Sequence, residues 1–164
     1  MTHQARNQWK MLSTAIALAS EKHHGVLDKG GKPYILHVLR VMNAMPEDDP
    51  ELRQIAVMHD VVEDTDVTFE QLIQMGFSAR VVDALVRLTH MPQDSYTNYI
   101  RGINTNDDSR QVKLADLKDN SNITRLKGVS EKDINRMIKY QRAYLYLTGK
   151  MSEYEYVNGV NHNV

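Results

Sequence analysis

The chain has 164 residues, 41% of them apolar and 25% charged, with a formal net charge of −1. That length suits one domain with its own core, and the composition excludes a disordered, collagen-like or membrane-spanning chain. The balanced charge argues against a nucleic-acid surface, and the absence of cysteine excludes disulfides, thiolate nucleophiles and cysteine-based zinc sites.

Trp9, Leu12, Ile16 and Ala19 recur at spacings of three and four and predict a first helix over 4–23. The N-terminus lacks the basic-then-apolar order of a signal peptide, and no apolar stretch approaches a membrane span, so a cytoplasmic protein with no membrane partner is expected. A loop over 24–32 contains Gly25, Gly30 and Gly31. Pro33 sits where a helix can begin, and the second helix is predicted over 34–45, stopped by Pro46. Asp48 or Asp49 caps a third over 50–63. Thr68 with Gln71 forms a capping box for a short helix closed by Gly76, and Ser78 opens the next. A shorter helix is predicted over 95–103, and Asp107 or Asp108 caps one that reaches Asn120. Ser130 with Asp133 caps the last long helix, which Gly149 ends. No stretch of alternating polarity stands out. The fold expected is all-α, one helical bundle of seven or eight helices over 1–150, with 151–164 as a loose polar tail.

The seven histidines divide by context. His3 and His162 lie in the two tails. His23, His24 and His90 fall at helix ends and read as cations that the helix dipole mildly favours. His37 and His59 instead sit inside strongly apolar helices, so their nitrogens need partners. His59 is followed by Asp60, and Glu63 and Asp64 come one helical turn later. Carboxylates this crowded repel one another unless a cation or a shared proton is present. In the segment 112–120, Asp116 lies on the apolar side with Val112, while Lys118 and Asp119 read as exposed. Three apolar helices thus offer His37, His59, Asp60 and Asp116 inward. Two imidazoles and two carboxylates suit a borderline divalent ion such as manganese, iron or zinc, which acidifies a bound water. Arg40, Tyr140 and Arg142 read by default as structural or solvated.

Three blocks carry a resemblance: Lys32-Pro33-Tyr34-Ile35-Leu36-His37, His59-Asp60-Val61-Val62-Glu63-Asp64-Thr65, and Lys113-Leu114-Ala115-Asp116 with Asn120. In order and spacing they resemble the HD-domain metal-dependent phosphohydrolases, above all the hydrolase domain of the RelA/SpoT family and its stand-alone small alarmone hydrolases. The resemblance implies an HD-domain helical bundle and a manganese ion held by His37, His59, Asp60 and Asp116. It implies that Glu63 and Asp64 position or activate the attacking water and that Asn120 contacts the nucleotide near its ribose and phosphates. The implied reaction removes the 3′-pyrophosphate from (p)ppGpp. In that family the loop before the Pro-Tyr pair usually presents a basic pair whose first member stacks on the purine. Here Asp28 takes that position and Lys29 the second. Lys29 is therefore a candidate phosphate contact and Asp28 a candidate base contact, one that favours the adenine amino group over guanine O6. Adenine alarmones such as (p)ppApp enter as substrates on that ground. The other readings are a general HD-type nucleotidase, a deoxynucleotide triphosphohydrolase, an NADPH phosphatase and a silent nucleotide-binding module.

Overall fold

The structure, a computed structural model, describes residues 3–159. These form helices α1 (His3–Lys22), α2 (Ile35–Asn43), α3 (Pro50–Met58), α4 (Val61–Asp64), α5 (Phe69–Gln74), α6 (Ala79–Leu88), α7 (Tyr96–Ile103), α8 (Asp107–Asn120), α9 (Glu131–Leu147) and α10 (Glu153–Asn158). A single 3-10 turn, Ile123–Arg125, links α8 to α9. No named strand occurs among the described residues; one isolated bridge pairs Leu27 with Pro33. The all-α expectation holds. No helix among them is long and apolar enough to cross a membrane.

α3 is the central element. Asp49 caps it by accepting from the Leu52 N–H at 2.9 Å, and Pro50 supplies a first residue that needs no donor. Ile55, Ala56, Val57 and Met58 are fully buried where α3 meets α1, α2, α6 and α8. The expected helix over 50–63 does not run through. It breaks at His59–Asp60, where Asp60 takes φ −105° and ψ −2°, and restarts as the single turn α4. The break brings both side chains to the same wall, which an unbroken helix would not do for adjacent residues.

A cap and a whole element also differ from expectation. Asn106, not Asp107 or Asp108, caps α8, accepting from the Ser109 N–H at 2.8 Å. The segment read as a loose tail carries α10, with a complete capping box between Ser152 and Glu155. Tyr156 is buried and stacks on Tyr146 at 4.7 Å, and Arg142 donates to the Glu155 and Tyr156 carbonyls at 3.1 and 3.0 Å. Arg142 is thus a fastener of α10. Residues 160–164, His162 among them, and the His3 side chain lie outside what the structure describes.

Candidate metal centre

His37 comes from α2, His59 and Asp60 from the α3–α4 break, and Asp116 from α8. His37, His59 and Asp116 are buried. One candidate ligand atom from each of His37, His59 and Asp60 lies within 4.8 Å of the others. The His59 Nε2 stands 2.9 Å from Asp60 Oδ2 and 3.6 Å from Asp116 Oδ1. The His37 Nε2 stands 3.3 Å from Asp116 Oδ1 and 3.7 Å from Asp60 Oδ2. The structure therefore brings together the four residues that the sequence singled out.

Each imidazole already uses its other nitrogen. His59 Nδ1 donates to the Ala56 carbonyl at 2.8 Å, and His37 Nδ1 to Asp119 Oδ2 at 2.6 Å. Those acceptors keep the proton on Nδ1 and turn Nε2 inward. Both Nε2 atoms are buried without a hydrogen-bond partner. Two ring nitrogens without partners and two carboxylates form a donor set that fits a divalent metal ion. The electrostatics agree. Burial pushes the His59 pKa down, but Asp60 and Asp116 outweigh it and hold the pKa well above its ordinary value. Burial pushes the Asp60 carboxyl up, but His59 holds it down to about 2. The centre selects positive charge.

Neighbouring side chains fix the carboxylates. Tyr34 donates its hydroxyl to Asp60 Oδ2 at 2.5 Å. Lys113 donates to Asp116 Oδ2 at 2.8 Å, which leaves Oδ1 facing the imidazoles. Burial works against the Lys113 ammonium, yet Asp116 holds its pKa well above the usual lysine value. Asn120 also donates to Asp116, at 2.5 Å to Oδ1, so one of its amide donors is spent on the metal centre.

The centre forms the floor of a cavity of about 390 Å³, with Glu63, Asp64, Lys29 and Tyr140 among its lining residues. One Glu63 oxygen accepts from the His90 N–H at 2.7 Å, which pins that carboxylate at the rim. Burial, Asp60 and Glu63 together push the Asp64 carboxyl up to about 6. A carboxyl whose folded-state pKa is raised lends stability below its unfolded value and loses it as pH rises through the folded one. Near pH 7.5, Asp64 is therefore a liability to the metal-free fold. A displacement of that size is ~3 kcal/mol for a fully buried group. Solvent screening at this partly exposed site reduces it to ~1 kcal/mol. Asp64→Asn is expected to raise the melting temperature of the metal-free protein at pH 7.5 by about 2–4 °C and to leave it unchanged at pH 3.5. Calorimetry at the two pH values checks this; an equal rise at both would assign the gain to packing.

Other expectations are corrected. Asp28 is not a free reader of a base. Its Oδ1 accepts from the Gly30 and Lys32 N–H groups, each at 2.9 Å, and its Oδ2 accepts from Arg125 Nη2 at 2.6 Å. A carboxylate with both oxygens committed has little capacity left for a nucleobase. Asp119, read as exposed, is largely buried, with Arg40, Arg125 and His37 all donating to it. Arg40 thus has the carboxylate pairing expected of it. His23, read as a helix-end cation, is 3% exposed with its ring 5.0 Å from that of Tyr34, and burial pushes its pKa down. Lys118 is exposed as expected.

No family model matches the chain. By sequence it is similar to a guanosine-3′,5′-bis(diphosphate) 3′-pyrophosphohydrolase of Aquifex aeolicus, 35% identical over 119 residues, which is 66% of this chain and 17% of the relative. It is also similar to an enzyme of the same printed name from Danio rerio, 42% identical over 94 residues, covering 49% of this chain and 52% of that protein. The chain thus spans about half of the Danio relative and a small part of the Aquifex one. By fold it matches the solved structure of a metazoan ortholog of SpoT described as hydrolysing ppGpp. The TM-score is 0.66 at 21% identity, over 93% of this chain and 88% of that one. The resemblance carried by the three sequence blocks is borne out by these relatives, and the chain shares the fold of the metazoan protein.

Proposed function

We propose that this chain is a cytoplasmic, manganese-dependent 3′-pyrophosphohydrolase of guanosine or adenosine alarmones, with His37, His59, Asp60 and Asp116 as the ligands. The observation that carries this reading is the pair of buried, unpartnered Nε2 atoms facing two carboxylates at the floor of an open cavity. The names of the relatives support the substrate class. They favour guanosine, and the commitment of Asp28 to Arg125 removes the reason for preferring adenine.

A divalent ion bound at the centre supplies Lewis acidity toward a phosphoryl oxygen and lowers the pKa of a water. The chain's own residues do the rest. Asp64, on the cavity wall beside the centre, is placed to take a proton from the attacking water. Glu63, fixed by the His90 N–H, orients that water. The water oxygen bonds to the phosphorus attached to the ribose 3′-oxygen, that P–O bond breaks, and the 3′-oxygen leaves with a proton. Lys29 and Arg136 on the cavity wall meet the substrate's phosphates, and Asn120 presents its remaining amide atoms to the nucleotide.

Incubation with manganese and a nucleotide panel, followed by identification of the released species, tests the proposal. Pyrophosphate and GDP from ppGpp are expected. Orthophosphate from NADPH or triphosphate from a deoxynucleotide, with ppGpp untouched, would replace this function by another.

A further inference from the structure

The pocket loop and the metal centre are joined by a chain of charged contacts. Asp28 on the loop holds Arg125 Nη2 at 2.6 Å. The other arm of that guanidinium, Nη1, donates to the Asp119 carboxylate and, at 3.0 Å, to the Asp119 carbonyl. Asp119 Oδ2 in turn accepts from His37 Nδ1 at 2.6 Å, while Arg40 Nε steadies Oδ1 at 2.6 Å. Backbone packing reinforces the joint, because a Cβ at Gly30 would collide with the Arg125 carbonyl. A carboxylate accepting from the distal nitrogen of a histidine ligand fixes its tautomer and ring orientation and raises its basicity.

Resting on the divalent centre proposed above, we infer that Asp119 is a positioning residue for His37. Asp28, acting through Arg125, sets Asp119, so the loop that walls the nucleotide cavity and the metal centre respond as one unit. The role of Asp28 is to hold the arginine that holds the aspartate, and disturbance of the loop is felt as weaker metal binding.

The test is the Mn²⁺ dissociation constant of the full chain, read from the free-ion electron paramagnetic resonance signal. Asp119→Ala is expected to weaken binding by ~10–100-fold. Asp119→Asn, whose carboxamide oxygen can still accept from Nδ1, is expected to recover much of that loss. Asp28→Asn is expected to weaken binding by a smaller factor, and to add nothing in the Asp119→Ala background, because its effect travels through Asp119. A second readout needs no metal. Long-range ¹H–¹⁵N spectra should show His37 protonated on Nδ1 in the wild type and mixed between its two nitrogens in Asp119→Ala. Wild-type-like affinity and tautomer in Asp119→Ala, or additive effects of the Asp28 and Asp119 changes, would overturn the inference while leaving the divalent centre standing. A wild-type chain that binds no Mn²⁺ would remove both.

Discussion

Asp116→Ala is expected to lose the metal and a large part of the fold's stability together. The Asp116 Oδ1 lies 3.3 Å from His37 Nε2 and 3.6 Å from His59 Nε2, so it faces both imidazoles. Loss of a residue that merely supports a ligand costs 10–100-fold in metal affinity, so loss of the ligand itself should cost at least ~10²-fold. The same carboxylate partners the buried Lys113 ammonium at 2.8 Å. Removing one member of a buried pair costs about 3–5 kcal/mol, because the other charge stays behind. At about 2–4 °C per kcal/mol, the metal-free protein should melt about 6–20 °C lower. Adding Lys113→Met to Asp116→Ala separates the two losses: it should restore much of the melting temperature and none of the metal affinity. Restored affinity in that double variant would exclude Asp116 as a ligand.

Glu63→Gln combined with Asp64→Asn should leave the ion in place and remove turnover. Neither residue is among the four side chains assigned as ligands, and both line the cavity that holds the centre. General acid–base groups contribute about 10²–10⁴-fold, and a loss of that size in kcat with Mn²⁺ affinity within a few-fold of wild type is expected. Near-normal turnover at saturating manganese would mean that the water is activated by another group. The single variants should differ. Asp64→Asn should account for most of the loss, because Asp64 is the assigned proton acceptor while one Glu63 oxygen is held by the His90 N–H. Glu63→Gln keeps an oxygen that can still accept the His90 N–H.

The residues legible in the sequence are those whose signal is local. His37, His59 and Asp116 sit on apolar helical stripes, and an ionisable group on such a stripe must be satisfied inside the core. The capping boxes at Thr68 and Ser130 placed two helix starts for the same reason. What escaped depends on partners far along the chain. Asp28 and Arg125 are 97 residues apart, and His37 and Asp119 are 82 apart. No periodicity pairs them, so an aspartate beside an exposed lysine read as solvated. His23 escaped because a helix-end histidine reads as a dipole-favoured cation, whereas here the packing of Tyr34 from outside its helix buries it. The break at His59–Asp60 had no glycine or proline to mark it. By contrast, α10 was within reach: Ser152 and Glu155 spell the same capping pattern that located the earlier helices.

The central claim is that four side chains share one divalent ion, and anomalous diffraction from manganese-soaked crystals tests it most directly. One strong anomalous peak is expected on the cavity floor, at ~2.0–2.3 Å from His37 Nε2, His59 Nε2 and one oxygen each of Asp60 and Asp116. Asp119 should remain on His37 Nδ1. A peak with any two of the four side chains beyond ~3.5 Å, a distance that leaves room for an intervening water, would contradict the assignment.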